Sequence, residues 1–302
     1  MTSALTRSPC ILCGNRSFAT AIPALGAAAG QDQRHRAKYA VLECCNCSLA
    51  LLDPQPEEPT LQATYPPSYY AHQPPEPHPT GIRRLFVHRL PIGAAPAGGR
   101  LLDVGCGSGL FLLWATELGW DAEGIEINAT AVRYAIACGL RVRQGTIDEV
   151  AYSDNSFDVV TMSHSLEHIR QPVAVLRSVS RMLRPGGKLY LSTPNRGGML
   201  AKLAGRRWRQ LDIPRHLYFL TRVTLGRMLD QCGFSVKRVW TVTKPGLALA
   251  TICQLAFIPP SKQPLLTESS LCKLAALPVC RLLDALGRGD ELWAEAIAST
   301  NG

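Results

Sequence analysis

Leu101-Leu102-Asp103-Val104-Gly105-Cys106-Gly107-Ser108-Gly109 is the stretch that decides the fold. An apolar strand runs into three alternating glycines, and Phe111 to Leu118 reads on as helix. Glycine lets the backbone pass close beneath a ligand, and the helix start offers free N–H groups to an anionic group. A dinucleotide loop needs G-x-G-x-x-G, with its third glycine packing helix against strand. Here the spacing is G-x-G-x-G, with an aspartate two residues before the first glycine, so the loop departs from that fingerprint.

Outward from the loop, strands and helices alternate. Gly119 precedes a short strand, Ala122–Glu126, that ends in an acid 21 residues past Gly105. A βαβ unit places there the carboxylate that accepts both hydroxyls of a ribose. Asn128 is an N-cap for a helix through Cys138, and Gly139 ends it. Leu140–Gln144 reads as a third strand and Phe157–Ser163 as a fourth, the latter apolar enough to be buried in a parallel sheet. Pro172–Leu183 is an amphipathic helix stopped by Arg184-Pro185-Gly186-Gly187, and Lys188–Thr193 is a fifth strand. Phe234–Thr243 and Glu291–Ser299 complete the set, with 47 residues between them (244–290) where a hairpin needs only a few.

The glycine pattern after Asp103, with F-D-V-V, L-E-H, L-R-P-G-G and S-T-P-N across 101–195, resembles the class I S-adenosylmethionine-dependent methyltransferases almost element by element. That resemblance implies an α/β Rossmann-like sheet of seven strands, the last antiparallel, in a domain spanning 99–302. It implies S-adenosylmethionine held by Asp103, Gly105, Cys106, Gly107, Gly109, Glu126, Ile127 and Ser163, with the adenine near Ile147 and Asp148.

Cys10-x-x-Cys13 and Cys44-x-x-Cys47 form two knuckles with 30 residues between them. Each pair chelates from one turn, and two pairs complete a tetrahedral thiolate site with no open position, hence structural zinc. Cys45 is a spare thiol. Cys10–Gly14, Leu42–Leu49, Asp53-Pro54-Gln55-Pro56 and the tyrosines Tyr65, Tyr69 and Tyr70 resemble the zinc-ribbon segment before many bacterial class I methyltransferases. The expected division is a module over 1–52, a proline-rich linker and lead-in helix over 53–98, then the catalytic domain with an apolar insertion at 244–290. Nine prolines between residues 53 and 80 support an extended linker.

Ligands of open α/β sheets bind outside the carboxyl ends of the strands. After the fourth strand, Ser163-His164-Ser165-Leu166-Glu167-His168 contains H-x-x-E-H, which begins at a strand end rather than inside a helix and so is not read as a protease motif. The stretch is similar to the E-x-x-E-H of ubiquinone-pathway O-methyltransferases, taken as a divalent-metal site, but His164 replaces the first acid and puts metal dependence in question. His164 or His168 titrates in the range of a general base; alternatively Glu167 and His168 fix the loop. Arg206, Arg207, Trp208 and Arg215 suit a phosphate, a carboxylate or a stacked ring. His216, after Pro214-Arg215, is a further candidate base by resemblance.

The formal charge of +9 favours an acidic partner. Residues 1–9 lack an apolar signal region, and no apolar run reaches membrane-spanning length, which points to the cytoplasm with peripheral membrane contact through 244–290 as one role of the insertion; a lid or dimer face are the others. Eleven cysteines in that compartment argue for thiols or metal rather than disulfides. The leading expectation is methyl transfer to a small or lipid-linked, anionic acceptor such as a sugar or polysaccharide intermediate. A zinc-bearing RNA methyltransferase is the second reading, weakened by the lack of basic and aromatic interleaving, and a non-catalytic adaptor the third.

Overall fold

In the computed structural model, residues 8–24, 38–65 and 91–299 are described. Tyr69, Tyr70 and most of the expected linker and lead-in helix lie outside them.

The amino-terminal segment contributes β1 (Phe18–Ile22), β2 (Ala40–Cys44), β3 (Ala50–Asp53) and α1 (Glu58–Ala63). Helix α1 stands where extended linker is expected. Its Pro59 falls in the first turn, where a missing N–H leaves no bond unmade. The central run is β4 (Arg100–Val104), α2 (Leu110–Glu117), β5 (Asp121–Glu126), α3 (Ala129–Ala137), β6 (Val142–Gln144), α4 (Ile147–Val150), β7 (Phe157–Ser163), α5 (Pro172–Met182) and β8 (Leu183–Pro194). Asn128 caps α3 as its sequence requires, its Oδ1 accepting from the N–H groups of Thr130 and Ala131.

Seven strands form one sheet in the order β10-β11-β8-β7-β4-β5-β6, where β10 is Phe234–Val242 and β11 is Glu291–Ala298. Strands β4 to β8 are parallel to their neighbours among themselves, whereas β11 is antiparallel to both β8 and β10. This is the expected class I arrangement. The strands sit in the middle of the sheet because they are apolar on both faces: Leu101, Leu102, Val160, Leu189 and Leu191 have no exposed surface.

Arg184–Gly187, expected to be a loop, is an interruption within β8. Leu183 pairs with Phe157, and pairing resumes at Lys188 with Val159. Arg184 holds the bulge down by donating to both oxygens of Asp158 at 2.7 and 2.8 Å.

After β8 come α6 (Met199–Ala204), β9 (Tyr218–Phe219) and α7 (Arg222–Gln231). The insertion consists of α8 (Pro245–Leu255), α9 (Gln263–Thr267) and α10 (Ser270–Ala285), so the two apolar stretches are helices as expected. A second sheet, β1-β2-β3-β9, joins the amino-terminal segment to the large domain. Its last strand comes from the segment after β8, with Ala50 opposite Phe219 and Leu51 opposite Tyr218. The amino-terminal module is thus hydrogen-bonded into the large domain, and the Leu12 and Leu49 side chains belong to the same core as Leu189 and Leu225.

Candidate active site

The glycine loop turns sharply at Gly105, whose φ is +77°. A Cβ there would lie 2.7 Å from the Cβ of Ser165, so no other residue fits without moving the segment after β7. The turn brings Gly107 N–H to the Oε2 of Glu126 at 2.9 Å, while Asn128 N–H donates to Oε1 at 2.8 Å. Burial pushes the Glu126 carboxyl up, against those N–H groups. Asp103, at the end of β4, accepts from Thr161 Oγ1 at 2.7 Å, and burial raises its pKa to about 7. Beside them the Ser165 hydroxyl is buried without a hydrogen-bond partner.

These residues fit an S-adenosylmethionine-like ligand. Two buried carboxyls stand ready for an ammonium and a pair of hydroxyls, and an orphaned hydroxyl faces the glycine loop. Ile127, 57% exposed beside Glu126, presents an apolar surface to solvent. Ser163 is exposed at the tip of β7, its Oγ 3.0 Å from that of Ser192. Cys106 and Ile147 are buried; Asp148 is exposed on α4, whose cap is Thr146, in a capping box with Glu149. Gly109, φ +89°, packs against Leu140 and Ala135, leaving no room for a Cβ.

Beyond the glycine loop, His164 adopts a left-handed backbone, φ +52°, an unusual conformation for a residue with a side chain. Its Nδ1 lies 3.3 Å from Glu167 and its Nε2 3.2 Å from Glu291, and Lys244, at the head of α8, stands 3.0 Å from Glu291. Burial works against the imidazolium, but the two carboxylates outweigh it and raise the pKa to about 9. This corrects the expectation of a base at His164. The two paired carboxylates favour its imidazolium form.

His168 and His216 are different. Arg215 C=O, 3.1 Å from His168 Nδ1, can only accept, so that nitrogen carries a proton. Tyr65 Oη lies 2.9 Å from the same Nδ1. His216 Nδ1 likewise donates to Gln210 C=O at 2.8 Å. Burial and the neighbouring His168 lower its pKa to about 4, so it is neutral. The two rings meet edge to face at 4.7 Å, and Glu167 joins them with ligand atoms within 4.8 Å of one another.

Of the basic segment, the Arg215 backbone and the His216 ring reach His168, whereas the side chains of Trp208, Arg207 and Arg206 are placed elsewhere. Trp208 is 3% exposed and its N–H donates to Asp290 at 2.7 Å, which makes it an internal post instead of the expected stacking surface. Arg207 lies over the Phe257 ring at 4.1 Å, and Arg206 is exposed. Arg215 is clamped by Asp212 at 2.6 and 2.8 Å. Sequence reasoning missed Tyr65, Ser165, Lys244 and Glu291. Ser165 lies inside a motif already singled out, whereas Tyr65, Lys244 and Glu291 are distant in sequence and become neighbours only through folding.

At the other end, Cys10, Cys13, Cys44 and Cys47 bring their Sγ atoms within 4.8 Å, with 3.5 Å across the pairs 10–47 and 13–44. Four thiolates around one zinc at about 2.3 Å would stand roughly 3.8 Å apart, so the cluster needs little change to hold it. Burial opposes a thiolate at Cys44, yet the Cys47 and Asn46 N–H groups bring its pKa to about 6. Cys45 is exposed and outside the cluster.

A family model described as a methyltransferase domain matches residues 71–239, more than half of the chain. The chain belongs to that family. Among its relatives, a ubiquinone biosynthesis O-methyltransferase of Xanthomonas oryzae pv. oryzae is 41% identical over 107 residues, 33% of this chain and 45% of that enzyme. The enzyme of the same name from Pseudomonas aeruginosa is 31% identical over 175 residues, 54% of this chain and 75% of its own. The chain thus spans about half the length of the first of these curated relatives. The crystal structure of the [4+2]-cyclase SpnF superposes with a TM-score of 0.53 at 21% identity, covering 82% of this chain and 98% of that one. That likeness is one of fold, and a cyclase sharing it illustrates that this methyltransferase sheet does not dictate a reaction.

Proposed function

We propose that this member of the methyltransferase family transfers a methyl group from S-adenosylmethionine to a hydroxyl of a small acceptor. The observation that carries the reading is the His168 ring, held through Nδ1 at the Arg215 C=O, on the segment that packs against the glycine loop beside the buried acids Asp103 and Glu126. S-adenosylmethionine supplies an already activated methyl on a sulfonium, so the protein's work is mainly positioning. Glu126 receives the ribose hydroxyls, Asp103 the ammonium, and Ser165 a polar group above the glycine loop. His168 Nε2 takes the acceptor's proton as the new O–CH3 bond forms and the S–CH3 bond breaks. His216 and Tyr65 hold the His168 ring.

The curated relatives carry names from ubiquinone biosynthesis, which favours a phenol-like, apolar acceptor over the sugar or polysaccharide intermediate expected from the sequence. A lipid-linked acceptor remains within this reading. One zinc on the four cysteines acts structurally, and the cytoplasm is the proposed place of action.

Calorimetric titration with S-adenosylhomocysteine tests the reading. Micromolar binding that Gly105→Arg abolishes supports it, and a folded protein that does not bind would leave the adaptor reading in its place.

A further inference from the structure

Helix α10 wears its polarity reversed. On a helix packed against a domain the outward face is ordinarily polar. Here Leu271, Leu274, Val279, Leu282 and Leu286 are all exposed, Leu271 to 78%, and apart from Arg281 the other exposed positions carry only Ala or Pro. The charged residue of its last turn faces inward: Asp284 accepts from the Thr243 N–H at 3.0 Å and hydroxyl at 2.6 Å. At 16 residues, about 24 Å, the helix is too short to cross a bilayer, and among the described residues no helix is long and apolar enough to do so.

Charge is segregated toward the same part of the chain. Residues 196–290, through the end of the insertion, hold 15 Lys and Arg against five Asp and Glu, a net +10 beside the +9 of the whole protein. Helix α10 packs on α8, α9 and β10. Exposed cations stand on or beside these elements, including Lys237 on β10, Lys262 before α9 and Arg281 on α10 itself. At the end of α8, Phe257 is 72% exposed with φ +55°, under the Arg207 guanidinium.

We infer that the 244–290 insertion docks the protein on an anionic membrane surface, with the outer face of α10 in the interface and the surrounding cations against lipid headgroups. Two alternatives meet a physical objection. A two-fold dimer through α10 would set this cationic surface against itself. A nucleic acid would answer the charge but leave a row of leucines without an apolar partner. An anionic bilayer answers both at once. The inference stands independently of the methyl-transfer reading.

The test is co-sedimentation of the full chain with vesicles of phosphatidylcholine, with and without phosphatidylglycerol, at low and high salt. Anionic vesicles should bind at least about tenfold better than neutral ones, and salt should weaken the binding. Leu271→Glu with Leu282→Glu should abolish it while leaving the circular dichroism spectrum unchanged, since both side chains already face solvent. Lys262→Glu with Arg281→Glu should weaken binding to anionic vesicles and leave neutral ones unaffected. Equal binding to both vesicle types, or undiminished binding by the leucine variant, overturns the inference. So does sedimentation equilibrium showing a dimer that the leucine variant dissociates, which would assign the face to a second copy.

Discussion

Burial favours the neutral form of both Asp103 and His164, yet only His164 is drawn to its charged form. At Asp103 one hydroxyl donor does not offset desolvation, so the carboxyl sits at about pH 7 and is half protonated near neutrality. An ammonium-bearing ligand needs the ionised form, so acidification competes with binding. The affinity for S-adenosylhomocysteine is expected to fall as pH drops from 8 through 7 to 6, and titration calorimetry across that range checks it. Asp103→Asn should flatten this dependence and weaken binding about tenfold or more, the worth of a hydrogen bond to a charged group. At His164 two carboxylates outweigh desolvation and favour the imidazolium, which argues against a base there; the proposed base is His168. His168→Gln should lower kcat by about 10²- to 10⁴-fold with little change in S-adenosylhomocysteine affinity. An unchanged kcat in a folded variant would remove His168 from the reaction.

At the scale of elements, the segment after β7 is held by partners from the far end of the chain. Glu291 opens β11, Lys244 ends the turn after β10, and both reach His164. The insertion therefore begins and ends on the candidate active site: Asp290, beside Glu291, receives Trp208 and Gln210 side chains from the basic segment. Glu291 has no exposed surface, so Glu291→Gln leaves His164 and Lys244 facing each other without their shared counter-charge. Breaking a buried pair from one side costs about 3 kcal/mol, to be read by denaturant unfolding. Lys244→Met combined with Glu291→Gln should be less destabilising than Glu291→Gln alone, because it removes the stranded cation as well.

At the scale of the whole molecule, the four-cysteine module supports the cleft through β3. That strand pairs with β9, two residues past His216, and the Leu52 N–H donates to Leu217 C=O at 2.9 Å. The chain then returns through α1 to Tyr65 beside His168. Removing metal should therefore be felt at the site as well as in the module. Metal analysis is expected to find one zinc per chain, and Cys44→Ser or chelation to lower both the melting temperature and methyl transfer. Unaltered transfer by a metal-free, folded protein would separate the module from catalysis.

Much of this was legible in the chain because it depends on neighbours in sequence. The Asp103–Gly109 loop, the acid at Glu126, the Asn128 cap and the two cysteine knuckles are set by backbone conformation and spacing within a few residues, and alternating strands and helices then leave few ways to order a parallel sheet. What the linear pattern could not carry was which side chains meet across long separations. Nothing near Trp208 in sequence announces that Asp290 will bury it, and nothing near His164 announces Lys244 and Glu291. Charge states at the site follow from those meetings, because desolvation and pairing are properties of the packed environment and not of residue type. The outward face of α10 belongs to the same class: its periodicity marks a helix, but only the packing of Asp284 against Thr243 decides which side is left to the solvent.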